Sequence, residues 1–74
     1  MFKCPSQNTI NYLRKEYPEG TRIQLISMRN DPKPVPDNTL GTVTFVDDMG
    51  TIHMKWDNGR SLGLIPDADE FTKI

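Results

Sequence analysis

The stretch VDDMGTIHMKWDNGRSLGLIP, Val46 to Pro66, limits the possible folds more than any other part of the chain. Its apolar and polar residues alternate, the period of a strand with one face in a core and the other in water. Two turn signals interrupt it. Asp47 to Gly50 reads as a four-residue hairpin loop, and Asn58-Gly59 is the strongest short hairpin signal because a type I′ turn needs positive φ at both central positions. The same alternation runs through TRIQLIS (21–27), with Ile23 and Leu25 inward, and through GTVTFV (41–46), with Val43 and Phe45 inward. TIHMKW (51–56) turns Ile52, Met54 and Trp56 inward, and SLGLI (61–65) turns Leu62 and Leu64 inward. Strands two to four are expected to form a meander. Nine inward residues on four short strands are too few for a sandwich and fit a small SH3-like antiparallel barrel.

Ahead of the strands, PSQNTINYLRKEY has the period of a helix. Ile10, Leu13 and Tyr17 form one apolar stripe, Ser6 is placed to cap the first turn, and Pro18 with Gly20 ends the element. The expected organisation is a single domain, mainly β with a short N-terminal α-helix: residues 1–19 form the helix and lead-in, and 20–74 the barrel. DADEF, near the end, reads as one helical turn with Phe71 closing an open end of the barrel. The connection Met28 to Thr39 carries prolines at 32, 34 and 36, which makes it long for a compact domain and extended in character.

Composition narrows the classes of function. The chain has 74 residues, 26% of them charged, and a formal net charge of −1, which argues against general attraction to nucleic acid. No apolar run reaches the roughly 20 residues of a membrane span. The start MFKCPSQN lacks an apolar core and does not read as a secretory signal, so the cytoplasm is the expected compartment. The one thiol, Cys4, has no partner for an internal disulfide, and one Cys with one His cannot build a structural zinc site. Nothing places Cys4 beside His53, the five glycines are dispersed, and the acidic residues lack calcium-loop spacing. The expectation is a protein that is not an enzyme and has no catalytic, cofactor or metal site.

Two binding readings remain. The first is a protein or peptide site on a rim made of the proline loop, the DDMG turn and the edge of Trp56, with Arg29, Asp31, Lys33, Val35, Asp48, Met49 and Trp56 as its residues. Trp56 shares its parity with Ile52 and Met54 and so belongs mainly to the core. Ile26, Val46 and Ile65 break the polar outer pattern: they sit under the helix, or, if the helix docks elsewhere, form an apolar patch of the kind that marks a partner site. The alternative is nucleic acid on an outer basic strip of Arg22, His53, Lys55 and Arg60. That strip lacks the outward aromatic platform that single-strand binders use.

The segments YPEGTRIQLISM, DP at 31–32, LGTVTFVDDMGTIHMKWDNGRSLGLIP and the closing DEF resemble one small family, domain of unknown function 4314. The likeness runs from about Arg14 to Phe71. It implies a setting in Gram-positive bacteria, their phages and conjugative elements, and brings no catalytic residue with it. Where that family usually has PGT before the second strand, this chain has DNT, Asp37 to Thr39. More locally, MKWDNGRSLGL is similar to a hairpin in peptide-binding SH3-like modules of Mind bomb and HERC ubiquitin ligases, over barely one hairpin.

Overall fold

A computed structural model describes residues 6–29 and 31–74. The described residues form a helix, α1 (Gln7–Glu16), and four strands: β1 (Arg22–Met28), β2 (Leu40–Val46), β3 (Ile52–Trp56) and β4 (Asp69–Lys73). The Ser6 hydroxyl accepts from the Thr9 amide at 3.2 Å, capping α1 as its position suggested. Ile10 and Leu13 are buried and Tyr17 is half-buried, so the apolar stripe faces the protein.

The strands make one antiparallel sheet in the order β3-β2-β1-β4. The sheet is open, with β3 and β4 at its edges, so the paired strands do not close a barrel. Two parts of the expected arrangement differ. SLGLI is not a full strand: its only bridge to β3 is Ile52 to Leu64, with amide–carbonyl bonds of 2.9 and 2.8 Å. The same register places Trp56 opposite Arg60, whose carbonyl accepts the Trp56 amide at 2.8 Å. Between those two points Met54 should meet Leu62. The Leu62 carbonyl instead accepts the Trp56 indole N–H at 2.7 Å, and the ladder is open at its middle. Pro66 then ends the segment, having no amide to donate.

The second difference is DADEF, which is a strand and not a helical turn. Ile65 anchors a tight turn, its carbonyl accepting the Ala68 and Asp69 amides and its own amide donating to Asp69 Oδ2 at 2.8 Å. Beyond that turn the chain pairs with β1, Phe71 opposite Leu25 and Lys73 opposite Ile23.

Two bulges also redirect side chains. In β2 the register shifts between Val43 and Phe45, so Phe45 points outward, 54% exposed, and Val46 is buried. Thr44, the extra residue, sends its hydroxyl to the His53 carbonyl at 3.1 Å. In β1 the shift falls between Leu25 and Ser27, leaving Ile26 exposed and Met28 buried. The Asn58-Gly59 turn is not type I′. Only Gly59 has positive φ, 92°, and the Gly59 amide bonds the Trp56 carbonyl, giving a three-residue loop closed by a left-handed glycine. Asn38 adopts φ 69°, the left-handed conformation glycine favours, which accounts for asparagine in the DNT variant of that turn.

The core gathers Ile23, Leu25, Val35, Val43, Ile52, Trp56 and Leu64, each almost wholly buried. Trp56 is its largest member at 1% exposure, and its ring lies over Gly41, where an added Cβ would stand 2.6 Å from Cε3. A domain of this size is stable by roughly 0.05–0.15 kcal/mol per residue, about 4–11 kcal/mol in all. Losing a buried tryptophan costs about 3–5 kcal/mol. Trp56→Ala is therefore expected to lower the melting temperature by more than about 12 °C or to unfold the domain. Gly41→Ala should cost about 1–3 kcal/mol through overpacking against the same ring. Urea and thermal unfolding followed by circular dichroism check both, and near-native melting of Trp56→Ala would contradict the assignment.

Candidate functional site

The proline loop is tied to the body of the protein. Val35 inserts into the core, the Leu25 amide donates to Thr39 O at 2.9 Å, and the Asn38 amide donates to Leu25 O at 2.7 Å. Asp31 Oδ1 accepts the Lys33 amide at 2.8 Å. Arg60 bridges from the β3 turn, its guanidinium donating to the carbonyls of Lys33 at 2.6 Å and Pro34 at 3.2 Å. Arg29 pairs with Glu70 at 2.9 Å.

The expected rim is not one surface. In an antiparallel succession, the β1–β2 and β2–β3 connections lie at opposite ends of the sheet. Asp48 and Met49 are therefore separated from Arg29, Asp31 and Lys33, and Asp48 is paired with Arg14 of α1 at 2.8 Å. Val35 and Trp56, 1% exposed each, offer no side-chain surface to a partner.

The basic strip is placed on the outer face but largely engaged. Arg22 makes a two-pronged pair with Asp57 at 2.9 and 2.7 Å and also donates to Thr42 Oγ1 at 2.8 Å. That hydrogen-bonded pair holds the Asp57 carboxyl below its ordinary range and raises the Arg22 guanidinium above its own. Arg60 is turned to backbone carbonyls, while Lys55 is exposed. His53 donates through Nε2 to Asp47 Oδ2 at 2.8 Å and stacks on Phe45 with centroids 4.2 Å apart and planes 4° from parallel. Partial desolvation pushes the Asp47 carboxyl up. The His53 bond and the amides of Thr51 and Met49, each 2.9 Å from Oδ1, together outweigh it and hold the group low. An outward aromatic platform thus does exist, one that alternation alone places indoors.

One concavity was not read from the sequence. It is an open cleft of about 410 Å³ lined by Tyr12, Leu13 and Tyr17 of α1, by Ile26 at the β1 bulge, and by Pro66, Asp69, Glu70 and Phe71. Tyr17 meets Phe71 edge-on at 5.6 Å, and Lys73 Nζ sits 5.3 Å from the Tyr17 ring centre. Tyr12 is 60% exposed and Ile26 46%. The helix does not cover Ile26 or Ile65, so the condition for an exposed apolar patch holds for those two and fails for Val46. The signal that pointed this way was the apolar break at Ile26. The paired role of Phe71 could not be seen while DADEF was read as a helical turn.

Among the described residues, no group of three or more His, Cys, Asp or Glu is placed to hold a metal ion, and Cys4 lies outside them. No helix among them is long and apolar enough to cross a membrane. The model of the family described as "Domain of unknown function (DUF4314)" matches residues 6–74, and the chain belongs to that family. The match takes in α1, beyond the Arg14–Phe71 span that carries the resemblance. No curated protein and no solved structure matches the chain significantly.

The lowered carboxyls fix the sign of an acid response. Asp47 and Asp57 titrate below their ordinary value of 3.8 in the folded protein, so the unfolded chain binds more protons as that value is approached from above. Their contribution to stability is full above the ordinary carboxylate range and is lost as pH falls through it. Urea midpoints measured from pH 7 to pH 2 should drop below about pH 4.5, less steeply in Asp47→Asn/Asp57→Asn than in the wild type. Parallel profiles would contradict the assignment.

Proposed function

We propose that this domain is a small non-enzymatic binding module that recognises a protein or peptide, working in the cytoplasm in processes of phages and conjugative elements. The observation that supports it best is the cleft between α1 and the β1–β4 corner. Tyr12 and Ile26 are large apolar side chains left in water at its mouth, and Leu13, Pro66 and Phe71 continue the apolar lining. An apolar concavity with a few polar groups at its margin is the usual form of a recognition site. We read the curved open sheet, with 61–65 laid against β3, as a variant of the SH3-like barrel, and this too is a proposal. The family setting supplies the biological context and no activity.

Nucleic acid remains a second reading because of one observation, the exposed Phe45–His53 stack on the same strand face as Lys55. A ring of this kind can stack a base. Against it stand the engagement of Arg22 and Arg60 and the carboxylates of Asp47 and Asp48 at the adjacent turn.

The two readings separate by mutation. Tyr12→Ser/Ile26→Ser changes only exposed side chains and should alter stability by about 0.5 kcal/mol or so per site. In cross-linking from nuclease-treated host lysate, a protein captured by the wild type should be lost with this variant and retained with Phe45→Ala/Lys55→Glu. The reverse pattern, with oligonucleotide affinity falling steeply as salt rises, would favour the nucleic-acid reading.

A further inference from the structure

Resting on the peptide-binding reading, we infer that the cleft takes a partner segment in which an arginine or lysine stands beside an apolar side chain. The charged residues in the lining are both acidic, Asp69 and Glu70. Each has one oxygen engaged, Asp69 Oδ2 by the Ile65 amide and Glu70 Oε1 by Arg29. Among the described residues the second oxygen of each carboxylate has no donor; as neighbours on β4 the two side chains leave the strand on opposite faces, so an incoming cation meets one of them at a time and displaces no bond there. The nearby cations are committed elsewhere: Arg29 to Glu70, and Lys73 to the Glu16 carbonyl at 3.0 Å and its carboxylate at 3.4 Å.

The aromatic wall suits the same ligand. Lys73 already holds its ammonium 5.3 Å from the centre of the Tyr17 ring, an internal example of a cation resting on this wall. Tyr12 presents a second phenol ring to solvent. Arginine matches the arrangement best, because its planar guanidinium can stack on a ring while its fork reaches a carboxylate. The apolar companion has Leu13, Ile26 and Pro66 to rest on. An acidic ligand would meet like charge at this margin, where Arg29 and Lys73 already hold carboxylates of the domain itself.

The test uses an array of hexapeptides with Leu-Xaa at the centre, Xaa being Arg, Lys, Gln or Glu, and Ala, Ser or Thr elsewhere. It is probed with the labelled full chain. Arg and Lys peptides should be retained about tenfold or more over Gln, the size of a charge-assisted hydrogen bond, with Glu peptides weakest. Asp69→Asn/Glu70→Gln should bring Arg and Gln to within about twofold, while Lys33→Glu, on the proline loop, leaves the preference unchanged. Asn at 69 keeps an oxygen for the Ile65 amide, and melting curves verify that the variant is folded. Equal retention of Gln or Glu peptides, lost in Tyr12→Ser, would overturn the charge assignment and leave the peptide-binding reading standing. No retention of any peptide, with a concentration-dependent dimer abolished by Tyr12→Ser, would place a second copy in the cleft and overturn the inference. No retention together with Phe45-dependent oligonucleotide binding would overturn the peptide-binding reading itself.

Discussion

The hydrogen bond from the Trp56 indole to the Leu62 carbonyl, 2.7 Å long, is the contact on which the rest of the architecture depends. A tryptophan this deeply buried must satisfy its N–H, and the acceptor it uses is one the β-ladder would otherwise take. The segment after Arg60 is consequently held to β3 at its two ends and not in its middle. Having no regular ladder to extend, the chain turns at Ile65 and Pro66 and crosses to the far side of the sheet, where it pairs with β1 as β4. That crossing brings Phe71, Asp69 and Glu70 up to Tyr17 and Ile26. The indole bond at one edge of the sheet, the Ile65 turn and the β1–β4 pairing thus lie on one continuous path that ends at the cleft.

Periodicity in the sequence, helical for α1 and alternating for β1, β2 and β3, was enough to place these elements and to assign Trp56 to the core. It failed where geometry is set by contacts distant in sequence. A bulge adds a single residue, so GTVTFV reads as unbroken alternation even though Phe45 and Val46 have exchanged faces across Thr44. Likewise Ile26 is an apolar residue of ambiguous parity until the β4 register reveals the shift beside it. DADEF is acidic and short, with weak strand propensity. Its strand state follows from pairing with β1, which no local signal announces. Val35 looked like part of a loop surface because prolines flank it, yet the same prolines hold the loop extended and let the valine reach the core. The residues of the candidate rim are divided between two ends of the sheet for a topological reason, since successive antiparallel connections alternate ends.

The charges act mainly through position. Exposed ion pairs such as Arg14–Asp48 and Arg29–Glu70 are worth about 0–1 kcal/mol each, so they contribute little to a stability carried by the apolar core. Their effect on the surface is larger. Arg22 and Arg60, the arginines of the outer strip, are turned to Asp57 and to the carbonyls of the proline loop, which weakens that strip as a field for polyanions. The cleft is left with acceptors and aromatic faces. Which charges stand free at the surface therefore follows from those the fold uses internally.

The most direct test of this account is native-state hydrogen exchange of the Trp56 indole N–H, followed by NMR alongside the backbone amides. If the Leu62 carbonyl holds the indole as described, that proton should exchange only with global unfolding, at the same free energy as the amides of Leu25 and Leu64. Exchange through local opening, orders of magnitude faster than those amides, would contradict the claim that this bond is a fixed part of the core.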